Sequence, residues 1–258
     1  MNDNPINQLH PLSTQDITQL CDKVEAMGFA FAPRQQVKDW LEAFNSAALN
    51  DWASFEASWN GMPLDQYMAD GGRYRRRRYA TLSAADGLIQ LEPHQPHYQS
   101  LVYNALNGGV AREYEAIPAH VIHGNTMQSV LHFCLQLFSS MAPDQPWHVE
   151  CHQFRIEAGS EAQGKPTPEG VHRDGVDFVL VMMVRRENIS SGTTTMHDMA
   201  KQRTLDSFTL TEPLDCAIVN DRRCMHGVTP VEQIDPSKPA YRDVLVVTFT
   251  ARDKRPAS

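Results

Sequence analysis

Three residues of metal-binding type are spaced so that they can converge: His172 and Asp174, either side of Arg173, and His226 far downstream in Cys224-Met225-His226-Gly227-Val228-Thr229-Pro230. Along a β-strand, residues i and i+2 share a face, so His172 and Asp174 can address one point. A second strand carrying His226 would add another imidazole. Two imidazoles and one carboxylate on one side of an ion leave the opposite positions open, which suits Fe(II) and oxygen chemistry. Spacing alone does not decide the matter, because His-x-Asp triplets are common and a lone histidine is more often a surface or satisfied core residue than a ligand.

The chain also holds a competing set. In Trp147-His148-Val149-Glu150-Cys151-His152, the residues His148, Glu150 and His152 share one face of one strand. Ligands at i, i+2 and i+4 spread over ~13 Å unless the strand bulges, whereas ligands from two strands converge easily. The geometry therefore favours His172, Asp174 and His226. His94 with His97 and His120 with His123 are weaker pairs, and the adjacent His197 and Asp198 point to opposite faces of any strand.

A basic run, Arg73-Tyr74-Arg75-Arg76-Arg77-Arg78-Tyr79, suggests phosphate binding, but charge runs are usually solvated. The plainer expectation is an exposed strand whose arginines alternate between solvent and carboxylate partners.

The elements that must position these residues come in two textures. Thr14 to Met27 reads as a helix, with Ser13 as N-cap and Gly28 as its stop. Val37 to Leu49 reads as a second, continuing loosely to about Trp59. From Thr126 to Ser139, the apolar residues Met127, Val130, Leu131, Cys134, Leu135 and Phe138 fall on one helical face and read as core. Beyond Pro146 the segments become short and β-branched, bounded by turn signals: 147–156, 171–184, 193–199, 203–210, 214–220, 225–231 and 241–251. Strands at that spacing predict a sandwich or barrel-like jelly roll. The expected fold is mainly β with flanking helices, residues 1–60 forming a helical extension packed on a core of residues 61–258.

Composition narrows the classes. A chain of 258 residues suits one large domain, and its 41% apolar and 21% charged content are ordinary for a globular protein. A net charge of −8 argues against a nucleic-acid surface spread over the whole molecule. Residues 1–5 lack a basic region followed by an apolar stretch, so no secretory leader is expected. No run approaches the roughly 20 apolar residues needed to span a bilayer. Five scattered cysteines fit reduced thiols in the cytoplasm better than a disulfide framework.

Several segments, in order, carry more than spacing. Pro168-Glu169-Gly170-Val171-His172-Arg173-Asp174-Gly175, His226-Gly227-Val228-Thr229-Pro230 and Tyr241-Arg242-Asp243-Val244-Leu245 together resemble the bacterial 2-oxoglutarate/Fe(II) dioxygenase family that includes the free L-isoleucine 4-hydroxylases. Gly71-Gly72-Arg73-Tyr74-Arg75 and Leu106-Asn107-Gly108-Gly109-Val110-Ala111-Arg112 are similar to it too, so the resemblance runs from about residue 60 to about 253.

The resemblance implies a double-stranded β-helix with Fe(II) held by His172, Asp174 and His226, and with 2-oxoglutarate and dioxygen as co-substrates. The distal carboxylate of 2-oxoglutarate needs a cation, and arginine suits because its planar fork pairs bidentately and stays charged when buried. Arg242 is the expected residue, placed opposite Pro230 by a hairpin centred near Pro236. Gln153 and Arg155, in His152-Gln153-Phe154-Arg155, are similar to the family's strand before the metal motif and are expected at the pocket, Gln153 with the co-substrate and Arg155 with the substrate. Arg73, Arg75 and Arg77 are further candidates for a substrate carboxylate. Cys224 reads as core or as a support behind the metal ligands, Asp243 as orienting Arg242, and Glu169 as orienting His172.

The implied activity is hydroxylation of a small metabolite, a free aliphatic L-amino acid, coupled to decarboxylation of 2-oxoglutarate to succinate. Two rivals remain open at this point. One is a non-catalytic metal or 2-oxoglutarate sensor on the same fold; the other is a cupin-like metalloenzyme without 2-oxoglutarate, for which Arg242 is the discriminating residue.

Overall fold

The helix expected over Thr14–Met27 forms over those residues (α1) in a computed structural model that describes residues 13–252 apart from 105, 107 and 161. Ser13 Oγ accepts the backbone N–H of Asp16 at 3.1 Å, and Gly28 ends the helix at φ 86°, a left-handed conformation that costs glycine little. Residues 1–5, read above for a leader, and Asn107 of the family-like segment lie outside the described residues.

Strand β1 (Phe29–Ala32) follows at once, then α2 (Arg34–Phe44) and α3 (Trp52–Ala57). Two expectations fail here. The second helix stops at Phe44 because Asn45 turns extended: its amide donates to Ser129 Oγ at 3.1 Å while its carbonyl accepts Ala47 N–H at 3.0 Å. The N-terminal segment is also not purely helical, since β1 pairs antiparallel with β9 (Cys216–Asn220). Four apolar residues are too few to show a period.

Next come β2 (Arg75–Ala85), β3 (Leu88–Leu91), α4 (Ala119–Ile122), α5 (Asn125–Met141) and β4 (Trp147–Ala158). The remaining strands are β5 (Phe178–Glu187), β6 (Ile189–Ser191), β7 (Thr193–His197), β8 (Thr204–Thr209), β10 (Met225–Val228), β11 (Val231–Gln233) and β12 (Ala240–Ala251). They form a seven-stranded sheet, β1-β9-β5-β12-β4-β2-β3, a three-stranded sheet, β10-β7-β8, and a two-stranded one, β11-β6. This is the expected double-stranded β-helix.

Strand parity divides the large sheet. Trp147, Val149 and Cys151 of β4 and Leu245, Val247 and Phe249 of β12 pack with Leu131 and Phe138 of α5 and Val24 of α1 in one core. Burying each large apolar side chain stabilises the fold by roughly 1.5–3 kcal/mol. The alternate residues face the opposite way, into a cavity between the sheets. Among the described residues no helix is long and apolar enough to cross a membrane.

Two strand expectations are corrected. The strand expected from Val171 begins at Phe178, and residues 171–177 are turns and an isolated bridge. Arg242 does not face Pro230: Val231 pairs with Ser191, and the chain then enters the large sheet, where Arg242 lies between Ile156 and Arg186.

Candidate active site

His172 and His226 face each other across an antiparallel bridge, each backbone N–H donating to the other's carbonyl at 2.9 Å. Their rings lie 4.7 Å apart between centroids. Asp174 stands beside both, with Oδ1 3.5 Å from His172 Nε2 and Oδ2 3.8 Å from His226 Nε2. The three ligand atoms lie within 4.8 Å of one another, close enough to share one ion.

The turn after His172 aims Asp174. The buried Asp221 carboxylate accepts three consecutive backbone N–H groups, from Asp174 at 3.0 Å, Gly175 at 2.8 Å and Val176 at 3.1 Å. Gly175 has φ +86°, and a Cβ there would sit 2.4 Å from the Tyr103 ring, so the glycine following His172-Arg173-Asp174 is sterically required. On the other side of the turn, Gln99 donates to the Asp174 carbonyl at 3.0 Å.

Protonation fits a cation. Burial opposes charge on His172, yet hydrogen bonding to Asp174 and the charges of Asp174 and Glu169 raise it to about 9. Burial and the neighbouring His172 pull His226 down to about 4. Burial also opposes ionisation of Asp174, but the His172 hydrogen bond and the two imidazoles hold it well below the usual carboxylate range. When that shared proton leaves, the site is a carboxylate and two neutral imidazoles, the donor set a divalent transition metal needs.

A second group, His97, Glu150 and His152, also has ligand atoms within 4.8 Å of one another. It differs from the set first weighed as a competitor: His97 joins from a distant loop, and His148 instead places Nε2 3.2 Å from Glu150. Tautomers separate the two groups. Arginine only donates, so Arg112 to His97 Nδ1 at 2.9 Å and Arg77 to His152 Nδ1 at 2.9 Å put the proton of each neutral ring on Nε2. Those Nε2–H groups face Glu150 at 3.6 and 3.4 Å and have no lone pair for an ion. His172 is the reverse case. Its Nδ1 must donate to the Gly170 carbonyl at 2.9 Å, which leaves the Nε2 lone pair for a metal. His226 Nδ1 is buried without a partner among the described residues, and its Nε2 faces Asp174.

Both groups line one cavity of about 770 Å³, together with Arg75, Arg77, Arg112 and Arg242. The basic run is thus not an exposed strand. Arg76 and Arg78 meet Glu157 at 2.7 Å and Glu115 at 2.6 Å, whereas Arg75 and Arg77 point inward and are buried. Arg75 is engaged by Asp65 at 2.7 Å. Arg77 lies between the rings of Tyr114, 4.1 Å from its centroid, and Phe154, 4.7 Å away, with no carboxylate in ion-pairing distance among the described residues. Arg242 is 3% exposed and likewise has no carboxylate partner there. Burial, and then Arg186, pull it down to about 10, so it stays charged at neutral pH.

Other expected residues lie elsewhere. Gln153 and Arg155 are on the helix-facing side of β4, opposite in parity to His152. Gln153 donates to Ser58 at 2.7 Å, and Arg155 grips Asp243 through two hydrogen bonds of 2.7 Å. Asp243 is therefore spent on Arg155 and does not orient Arg242. Arg73 is exposed and away from the cavity. Glu169 does reach His172, at 3.2 Å, but at Nε2. Cys224 is core, donating to the Gly28 carbonyl at 3.3 Å. Alternation along β4 was a usable signal against Gln153 and Arg155; His97 showed only as a weak pair with His94, Arg112 only as the end of a family-like segment, and Asp221 not at all, because only folding brings them in.

A sequence profile for 2OG-Fe dioxygenases matches residues 56–248. The 3(1)-hydroxy-L-isoleucine 4-dioxygenase of Pantoea ananatis is 26% identical over 89% of this chain and 94% of its own length. The L-isoleucine-4-hydroxylase of Bacillus thuringiensis is 24% identical, over 64% of this chain and 69% of its own. Among solved structures, a bsmA homolog from Methylobium petroleophilum superposes with a TM-score of 0.81 at 30% identity, covering 92% of this chain and 93% of that one.

Proposed function

The chain belongs to the 2OG-Fe dioxygenase family, iron enzymes that use 2-oxoglutarate and dioxygen, and on that premise we propose that it hydroxylates a free aliphatic L-amino acid. His172 through Nε2, Asp174 and His226 hold Fe(II), with Asp221 keeping the turn of Asp174 in place. Fe(II) held there with its co-substrates would supply hydroxylation of an unactivated carbon, coupled to conversion of 2-oxoglutarate to succinate and carbon dioxide. Arg242 receives the distal carboxylate of 2-oxoglutarate, as a buried arginine fork without a protein anion is suited to do.

Arg77 carries the substrate reading. A guanidinium that is 4% exposed, flanked by two rings and unmatched by a carboxylate among the described residues calls for an anion from a ligand. A carboxylate gripped by Arg77 would present an aliphatic side chain to the apolar part of the cavity, which includes Val181, Met196, Val219 and Val246. The protein's part is orientation and exclusion of water; no general base is required.

The test is a screen of the twenty amino acids for stimulated succinate formation with Fe(II), 2-oxoglutarate and oxygen. An aliphatic L-amino acid should give the largest stimulation, with the product gaining one oxygen by mass. If none stimulates succinate formation above the uncoupled rate, the amino-acid reading is wrong.

A further inference from the structure

Glu169 has one hydrogen-bond or ion-pair partner among the described residues: its Oε1 lies 3.2 Å from His172 Nε2, while Oε2 is buried with none. That nitrogen is also the one a metal must take, because His172 Nδ1 is committed to the Gly170 carbonyl. A ligand nitrogen cannot both coordinate and donate. With metal on that nitrogen, Glu169 has no protein donor among the described residues, and its side chain, 12% exposed, lines the cavity beside the iron site. A largely buried carboxylate in that state is costly until another donor or cation meets it.

We propose that Glu169 is the receptor for the α-ammonium group of the substrate in the metal-loaded protein, where its contact atom, His172 Nε2, is a metal ligand. This rests on the amino-acid reading above and adds the group that recognises the amine. The same cavity then has an unmatched cation, Arg77, and an unmatched anion, Glu169. A free α-amino acid carries the complementary pair of charges on adjacent groups. A keto acid, a deaminated acid or an N-acylated amino acid lacks the cation.

The other cavity carboxylates are occupied. Glu150 accepts from Tyr79 at 2.8 Å and is approached by His148 at 3.2 Å and His152 at 3.4 Å. Asp174 belongs to the metal set. Glu169 is the one that, with metal on His172 Nε2, has no protein donor among the described residues.

The experiment uses the full chain loaded with Ni(II) and 2-oxoglutarate, so that no turnover occurs, with calorimetric titration of two probes: L-isoleucine and 3-methylpentanoate, the same skeleton without its amine. The unmodified protein should prefer the amino acid by about 30-fold or more, the range expected for a buried charged hydrogen bond. Glu169→Gln, nearly identical in shape, should erase most of that preference while leaving Ni(II) and 2-oxoglutarate affinities within about 3-fold.

Retention of the preference in Glu169→Gln would overturn the assignment, since the amine would be read elsewhere. A tenfold or greater loss of Ni(II) affinity would overturn it differently, by making Glu169 a metal ligand. Failure of the unmodified, loaded protein to bind any of the twenty amino acids would instead sink the amino-acid reading itself, and the inference with it.

Discussion

Asp221 accepts the backbone N–H of Asp174 at 3.0 Å, although Asp174 lies in the turn before β5 and Asp221 in the turn after β9. With the Gly175 and Val176 amides on the same carboxylate, that turn is fastened at three points from a fully buried side chain. Asp221→Ala should therefore weaken metal affinity by roughly 10- to 100-fold, as loss of supporting groups around a ligand typically does. Asp221→Asn, which keeps one carbonyl acceptor, should fall between. Metal titration of both variants checks the order, and equal affinities in all three proteins would show that the turn holds itself.

Arg242 and Arg155 should respond in opposite ways. Arg242 is buried without a protein anion, so Arg242→Ala removes an uncompensated charge. Its melting temperature should hold or rise while the KM for 2-oxoglutarate increases by about 100-fold or more. A lower melting temperature with unchanged KM would make Arg242 structural.

Arg155→Ala strands the Asp243 carboxylate, whose side chain is 0% exposed and paired twice at 2.7 Å. Breaking such a pair costs about 3–5 kcal/mol. Denaturant unfolding should show that loss, with KM values changed less than about 3-fold at temperatures where the variant is folded.

Acid and base should each destabilise the metal-free protein, through different histidines. His172 is raised to about 9, so it binds a proton in the folded chain more readily than in the unfolded one. That contribution is full below about 6.5, the unfolded value, and is lost as pH rises through about 9. Burial, joined by the Arg77 charge, holds His97 well below 6.5, and burial also lowers His152. Below about 6.5 the unfolded chain gains protons that these folded rings refuse, costing up to about 1.4 kcal/mol per pH unit for each. Urea midpoints of the metal-free chain should peak near pH 6.5, and His97→Gln should flatten the acid side. A profile flat from pH 5.5 to 9 would contradict both assignments.

The parts of this protein that depend on neighbours in sequence were legible from the chain. Ser13 and Gly28 bound α1 because capping is a local matter, and the stripe from Met127 to Phe138 buried as its period required. Short β-branched segments between turn residues implied the jelly roll, and the His172-Arg173-Asp174 triplet with His226 implied two ligands near a third. Parity in β4 already opposed Gln153 and Arg155 to His152. Tertiary structure decided the rest, because strand pairing and burial join residues that no local rule connects. Insertion of β12 between β4 and β5 set the place of Arg242, folding of a distant loop brought His97 to Glu150, and Asp221 reached back to the turn of Asp174. The sequence determined which residues could do the chemistry; only the packing of the sheets decided which of them face the cavity.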